Sequence, residues 1–219
     1  MKIEAVILDF DGTVIDSEHI WQEVIQHKLT DSGYPIPNKF FYDCSGIGID
    51  AFMVRLVQVL DIVDTDTEAL RNSILTEVYE NISTKAELNN GFYELSHIIK
   101  KHNLLYAICT ASEYEMLIPT IERLKIKDFF DILHSAHGSE NMKPHPDPYY
   151  KTAKKLGVDI KNCIVVEDSI PGIQSGISAG AKTFAIPASH DIEKVKLLDA
   201  QIVKDFTDVA KFISDTLTS

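Results

Sequence analysis

Two aspartates directly after the first apolar segment are the residues of this chain best suited to do chemistry. Asp9 and Asp11 follow the apolar segment 3–8 and are themselves followed by Gly12. In an extended chain, residues two positions apart project from the same face, so the two carboxylates should lie together. Open α/β sheets bind ligands beyond the carboxyl ends of their strands. The pattern indicates Asp9 as a nucleophile or metal ligand and Asp11 as a proton donor or second acid.

The same residues also fit a purely structural turn that caps the following helix, because Asp and Gly are common in turns. A calcium loop is excluded, since it needs a third acid before the glycine and a glutamate at its end, and this chain has neither. On these residues alone, the structural and the chemical interpretations both stay open.

A second polar group follows the apolar segment 105–109, where Thr110, Ala111 and Ser112 succeed one another. A hydroxyl and free backbone N–H groups at a strand-to-helix turn can bind phosphate. Helix capping by Thr110 or Ser112 is the simpler alternative, and this stretch alone favours it.

Two further segments carry charges suited to phosphate chemistry. Lys143 lies in a proline-rich loop, where it could neutralise a phosphate and keep a carboxylate ionised, although many lysines are merely solvated. Glu167 and Asp168 end the apolar segment 163–166. Together with Asp9 they would form an oxygen-rich pocket of the kind that suits Mg²⁺.

The elements that must position these residues are short apolar strands alternating with helices. This alternation predicts a doubly wound, Rossmann-like parallel sheet with helices on both faces, an α/β fold. The predicted strands are 3–8, 105–109, 129–133, 163–166 and 182–186, and the predicted helices between them include 113–125, 146–156 and 170–179.

Residues 16–89 interrupt that rhythm with helical patterns only, at 17–32, 50–60 and 66–82. We expect a small all-helical cap domain there, inserted into an α/β core formed by residues 1–15 and 90–219. A G-x-G-x-x-A pattern begins at Gly46, but no strand precedes it, so a dinucleotide site is not favoured.

Composition excludes several classes of function. The formal net charge of −12 disfavours binding to nucleic acids and anionic membranes. No apolar run is long enough to span a bilayer and no targeting segment is apparent, so we predict a cytoplasmic protein. Cys44, Cys109 and Cys163 lack metal-ligand spacing and are expected to be buried and reduced. We expect a monomer or a weak dimer.

In chain order, these motifs resemble the four motifs of the haloacid dehalogenase superfamily: Asp9-x-Asp11, Thr110, Lys143-Pro144 and Glu167-Asp168. The resemblance covers nearly the whole chain. It is closest to the branch with a helical cap after the first strand, which contains β-phosphoglucomutases and small sugar-phosphate phosphatases.

The resemblance implies a role for each motif residue. Asp9 would attack phosphorus to form an aspartyl-phosphate, and Asp11 would serve as general acid and base. Thr110 and the amide of Ala111 would hold the phosphoryl oxygens, with Lys143 as their counter-charge.

The resemblance also implies a metal cofactor. Mg²⁺ would be bound by Asp9, the backbone carbonyl of Asp11 and Asp168, with Glu167 orienting metal-bound water. An acid at position 11 argues against a true haloacid dehalogenase, which needs neither that acid nor magnesium.

The predicted cap departs from the mutase pattern. Trp21 stands where many related caps have histidine, and the loop 46–49 lacks the arginine of β-phosphoglucomutases. Trp21 and Gly46 are candidate substrate contacts, although Trp21 equally fits packing within the helices. We therefore expect a Mg²⁺-dependent phosphatase acting on a small phosphorylated metabolite such as a sugar phosphate. A β-phosphoglucomutase-like mutase and a non-catalytic binding protein are the alternatives.

Overall fold

The core of the protein is a six-stranded parallel sheet, seen in a computed structural model that describes residues 2–44, 48–60, 66–187 and 191–218. The strands are β1 (Ala5–Leu8), β2 (Ile15–Asp16), β3 (Glu87–Leu88), β4 (Leu105–Thr110), β5 (Ile132–Ser135), β6 (Cys163–Glu167), β7 (Lys182–Ala185) and β8 (Gln201–Ile202). The order in the large sheet is β5-β4-β1-β6-β7-β8, and every neighbouring pair is parallel. The chain therefore winds outward from β1 in both directions.

Helices connect these strands. They are α1 (Glu18–Asp31), α2 (Asn38–Tyr42), α3 (Ile49–Leu60), α4 (Thr67–Lys85), α5 (Phe92–Lys101), α6 (Tyr114–Arg123), α7 (Asp147–Leu156), α8 (Ile170–Ala179), α9 (Ile192–Val195) and α10 (Phe206–Thr218). Within the described ranges, none of them is long and apolar enough to cross a membrane.

The central strand β1 shows why its residues form a buried parallel strand. Val6 and Leu8 pack into one apolar cluster, while Ala5 and Ile7 pack into another. Alternate side chains of a strand project to opposite faces, so an all-apolar segment needs cover on both sides. The predicted fold class, a doubly wound α/β sheet, is confirmed.

The predicted strand 129–133 is partly wrong. Residues Lys127–Phe129 form a 3₁₀ helix, and β5 begins only at Ile132. The two phenylalanines of this segment pack their rings against α5 and β4: the Phe129 ring centroid lies 5.8 Å from that of Phe92, and the Phe130 centroid lies 4.6 Å from that of Tyr106. Helices α2, α5, α9 and α10 and strand β8 were not predicted.

Helices α1, α3 and α4 correspond to the three helical patterns predicted between residues 16 and 89. The structure adds a short antiparallel pairing of β2 with β3, in which Ile15 lies opposite Leu88 and Asp16 opposite Glu87. The chain thus enters and leaves this helical segment side by side. The division into a core and a cap domain stays a prediction, which this pairing supports.

The three cysteines are buried and free, as predicted. Cys109 and Cys163 lie in β4 and β6, where burial raises the pKa of the Cys109 thiol to about 11 and that of Cys163 to about 12. Both are therefore uncharged thiols near neutral pH.

Candidate active site

Asp9 and Lys143 meet at the carboxyl end of the central strands. Asp9 follows β1, and its backbone N–H donates to the Val166 carbonyl of β6 at 3.0 Å. The Lys143 Nζ donates to Asp9 Oδ1 at 2.6 Å and to Glu167 Oε1 at 2.6 Å. It also donates to the Cys109 carbonyl at 3.0 Å. The buried ammonium of Lys143 thus links the carboxyl ends of β1, β4 and β6. The sequence predicted that Lys143 would lie near the carboxylate of Asp9.

Glu167 is fully buried and is held by several donors besides Lys143. The Tyr149 hydroxyl of α7 donates to its Oε1 at 2.6 Å, and the Ser169 N–H and Oγ donate to its Oε2 at 3.3 and 3.1 Å. These bonds fix the carboxylate and, through it, the ammonium of Lys143. They favour Glu167 as the group that positions Lys143, while its predicted role toward metal-bound water stays a prediction.

The backbone of α8 lies against this carboxylate at Gly172. A Cβ atom at position 172 would lie 1.9 Å from Glu167 Oε1, far inside van der Waals contact. We predict that Gly172→Ala destabilises the protein by about 1–3 kcal/mol, because a fixed side chain must shift. Urea unfolding monitored by circular dichroism measures this.

The matched control for Gly172→Ala is Ser178→Ala, a change at an exposed position of the same helix. The control should unfold at the urea concentration of the wild type. Equal midpoints for Gly172→Ala and the wild type would contradict the predicted clash.

Asp168 completes a group of acids. Oxygen atoms of Asp9, Glu167 and Asp168 lie within 4.8 Å of one another. The Thr13 hydroxyl donates to Asp168 Oδ1 at 2.7 Å. Gly12 has a φ of +89°, and a Cβ there would lie 2.2 Å from Asp168 Oδ2, so only glycine leaves room for the carboxylate.

The charges of this group are not balanced by the protein. Burial raises the pKa of Asp9 to about 8, with Glu167 and Asp11 adding to the rise and Lys143 opposing it. Burial and the neighbouring Asp9 and Glu167 also raise the pKa of Asp168 well above its usual range. Carboxylate oxygens are ligands that Mg²⁺ prefers, and a divalent cation would offset the excess negative charge, so the residues fit the predicted metal.

Asp11 lies beside these three acids, but its hydrogen bonds are to other residues than Lys143. Its Oδ1 accepts a hydrogen bond from the Ser17 hydroxyl, and its Oδ2 accepts from Trp21 Nε1 at 2.8 Å. The Ser112 hydroxyl lies 3.4 Å from Oδ2. Burial raises the pKa of Asp11 despite these donors, which suits a carboxyl that must carry a proton.

Thr110 and Ala111 lie at the end of β4. The Thr110 Oγ1 accepts a hydrogen bond from the Ser112 N–H at 3.0 Å. Helix α6 begins later, at Tyr114, and the residue before it, Glu113, makes no side-chain cap bond. Capping of the helix by Thr110 or Ser112, the simpler alternative, is therefore wrong.

A cavity of about 480 Å³ opens over these groups. Most of the residues predicted from sequence line it, namely Asp9, Asp11, Thr110, Ala111, Lys143, Asp168 and Trp21. Glu167 lies beneath it, behind Lys143. The remaining predicted contact, Gly46, lies outside the described residues. The structure therefore brings the predicted residues together, and their roles stay predictions.

Trp21 both lines the cavity and packs within the helices, the two alternatives that the sequence left open. Its Nε1 bonds Asp11 and its ring lines the cavity, while its remaining surface packs against the main apolar cluster. Contact with substrate stays a prediction.

Sequence reasoning missed several residues that support the site, among them Tyr149 under Glu167 and Asn89 beside the first loop. The Asn89 Nδ2 donates to the carbonyls of Gly12 and Thr13 at 2.9 and 2.8 Å. A signal for Asn89 exists, because Asn89-Asn90-Gly91 is a turn sequence at the end of the helical segment. Tyr149 gave no comparable signal.

Three known proteins illustrate the likeness of the whole chain. The 6-phosphogluconate phosphatase of Escherichia coli K12 is 32% identical over 193 residues, which cover 84% of this chain and 82% of that protein. Hexitol phosphatase B of the same strain is 28% identical over 188 residues, 85% of each chain. The crystal structure of β-phosphoglucomutase from Clostridium difficile has a TM-score of 0.79 and 22% identity, covering 99% of this chain and all of that one, a likeness of fold.

A larger protein contains a similar region. The chain is 26% identical over 222 residues to the chloroplastic protein SUPPRESSOR OF QUENCHING 1 of Arabidopsis thaliana, and it spans about a fifth of that protein's length. The sequence profile of the haloacid dehalogenase-like hydrolases matches residues 6–186, which include every core motif described above. The chain belongs to the haloacid dehalogenase-like hydrolase family.

Proposed function

We propose that this hydrolase is a Mg²⁺-dependent phosphatase that cleaves a small sugar-derived phosphate ester through an aspartyl-phosphate. The observation that carries the proposal is the meeting of Asp9, Lys143 and Asp168 at the base of one cavity, with Asp11 in its wall. Two relatives, a hexitol phosphatase and a 6-phosphogluconate phosphatase, support an ester of this size.

In the first half-reaction, Asp9 is the nucleophile. Lys143 holds its Oδ1 and favours the ionised form, so Oδ2 is the atom that we assign to the attack on phosphorus. The P–O bond to the leaving group breaks as the new bond forms, and the proton of Asp11 passes to the departing oxygen. The released product is an alcohol.

In the second half-reaction, the ionised Asp11 accepts a proton from water as that water attacks phosphorus. The bond between phosphorus and Asp9 breaks, inorganic phosphate leaves, and both carboxyls return to their starting states. The Thr110 hydroxyl and the Ala111 amide hold the phosphoryl oxygens in line for both attacks.

Asp9, Asp168 and the backbone carbonyl of Asp11 are the groups that we assign to the metal. Bound Mg²⁺ supplies positive charge that stabilises the oxygens of the transferred phosphoryl group. The raised pKa values of Asp9 and Asp168 support this assignment, because they mark carboxylates that need a further cation.

We predict that Mg²⁺ stabilises the protein more at pH 8 than at pH 6. The folded pKa of Asp9, about 8, lies above its unfolded value, so folding without metal takes up a proton. That contribution to stability is present below about pH 4 and is lost as the pH rises toward 8. Since Mg²⁺ competes with the proton, it binds more tightly as the pH rises.

Thermal unfolding in EDTA and in one fixed Mg²⁺ concentration, at both pH values, measures the effect. A concentration of 100 times the Kd at pH 8 should add about 2.7 kcal/mol at that pH and less at pH 6. Asp168→Asn is the matched variant and should abolish most of the Mg²⁺-dependent shift. A Mg²⁺ shift as large at pH 6 as at pH 8 would contradict the linkage.

A direct assay separates this proposal from its alternatives. With β-glucose 1-phosphate and a bisphosphate primer, a mutase yields the isomer without free phosphate, whereas a phosphatase releases phosphate. Failure of the wild type with Mg²⁺ on a broad panel of phosphate esters would favour a non-catalytic binding protein.

A further inference from the structure

The cavity holds a marked imbalance of charge away from its phosphate end. Lys143 is the one lysine or arginine among the described residues that line it. Six acids of the described ranges line it. Asp9, Asp11 and Asp168 belong to the phosphate end, and the others are Glu18, Asp50 and Glu113. The segments that the structure does not describe contain no lysine or arginine.

That single lysine is committed to the nucleophile end of the cavity. Its ammonium is bonded to Asp9, Glu167 and the Cys109 carbonyl, and its side chain is only 6% exposed. It cannot also reach an anionic group at the far end of a substrate.

Arg71 is paired with two acids of the cavity wall. The Arg71 Nε donates to Asp50 Oδ1 at 2.5 Å, and Nη2 lies 3.8 Å from Glu113 Oε1. The same Glu113 oxygen lies 3.3 Å from His137 Nε2. Asp50 and Glu113 thus pair with Arg71 and His137. Arg55, which lies near Cys44 of the wall, donates instead to the Asp43 carbonyl at 2.8 Å.

Much of the rest of the wall is apolar, with Ser17, Tyr79, Ser112, His137 and Ser169 as polar members. Trp21 and Ile25 of α1, Leu75 of α4, Phe52 of α3 and Met142 line the space beyond Asp11. A wall of this kind packs against C–H groups and aromatic or sugar-ring faces. This apolar part of the wall offers a second anion neither a counter-charge nor enough donors to replace its water.

We infer that the alcohol released by this enzyme carries no second anionic group: the site accepts esters with an uncharged polyol or sugar leaving group and rejects those that also bear a carboxylate or a second phosphate. The inference rests on the proposed phosphatase function. The selectivity arises because the acids of the wall repel a second anionic group and because that group would lose its water without replacement. Glu113 is the residue of the wall that we assign as a determinant.

Matched pairs of substrates test the inference. D-Sorbitol 6-phosphate and 6-phosphogluconate differ only at C1, a CH₂OH group against a carboxylate. sn-Glycerol 1-phosphate and 3-phospho-D-glycerate differ in the same way. We expect kcat/KM, measured by phosphate release with Mg²⁺, to be at least ~10-fold lower for the acid of each pair, a difference of about 1.4 kcal/mol.

A pair of variants tests the assignment of Glu113. Glu113→Gln removes a negative charge from the wall and releases His137, while Arg71 keeps its bond to Asp50. It should therefore raise kcat/KM for 6-phosphogluconate several-fold relative to D-sorbitol 6-phosphate. Glu115→Gln, an exposed change two residues further along that does not line the cavity, should leave the ratio unchanged.

The outcomes separate the inference from the function on which it rests. Hydrolysis of the acid as fast as, or faster than, its neutral partner in either pair would overturn the inference while leaving the phosphatase function intact. No hydrolysis of any of the four esters would contradict the phosphatase function and the inference with it. An unchanged ratio in Glu113→Gln would overturn the assignment of Glu113.

Discussion

Asp9→Asn is expected to lower kcat by at least about 10³-fold while leaving the protein folded. The amide has the size of the carboxylate but is a poor nucleophile, so the covalent step fails. Lys143 loses one partner but keeps Glu167 and the Cys109 carbonyl. Since asparagine is neutral without the proton that Asp9 must take up on folding, the metal-free variant should be at least as stable as the wild type near neutral pH.

Phosphate release and thermal unfolding measure these two effects side by side. Asp128→Asn, at an exposed position of the 3₁₀ helix before β5, is the matched control and should keep full activity. Acid-quenched mixtures of wild-type enzyme with ³²P-labelled ester should contain labelled protein, and those of Asp9→Asn should not. Undiminished phosphatase activity in Asp9→Asn would contradict the proposed attack of Asp9 on phosphorus.

Asp11→Asn is expected to slow turnover by roughly 10²–10⁴-fold, the usual contribution of general acid–base catalysis. Unlike the first variant, it retains the nucleophile, so it should still become phosphorylated by an ester whose leaving group needs no proton. With p-nitrophenyl phosphate, rapid quenching should therefore show a labelled enzyme that persists, because water attack has lost its base.

Asp16→Asn, an exposed change in β2, is the matched control for Asp11→Asn and should turn over normally. The contrast between esters is the informative readout. Equal loss of rate for p-nitrophenyl phosphate and for an alkyl phosphate would contradict a general-acid role for Asp11, since only the alkyl leaving group requires protonation.

The elements of the fold that could be predicted were those whose own residues are almost all apolar. The strands β1, β4 and β6 are almost wholly apolar and are buried on both faces, so local composition alone indicated them. Strand β5 was misplaced because the apolar residues Phe129 and Phe130 precede the strand. Their rings pack against Phe92 and Tyr106, which are distant in the chain. Strand β8 is short and exposed, with little apolar signal.

The residues of the candidate site likewise fall into those that could be predicted from the sequence and those that could not. Residues that directly follow a strand, such as Asp9, Thr110 and Asp168, could be predicted because the ends of parallel strands meet at one edge of a sheet. The bond from Trp21 to Asp11 and the bond from Tyr149 to Glu167 could not, because each depends on how a helix is oriented against the sheet. No local spacing encodes that orientation.

The two carboxylates that open the chain's first loop belong to separate hydrogen-bond networks. Asp9 is tied to Lys143 and Glu167, on the strand ends and the loop before α7, whereas two of the donors to Asp11, Ser17 and Trp21, are at the start of α1 or within it. Substitutions accumulating in the helical segment can therefore retune proton transfer and substrate choice while the phosphorylation machinery stays intact. The groups that orient Asp11 for proton transfer and those that hold Asp9 for phosphorylation thus lie largely on different elements of the fold.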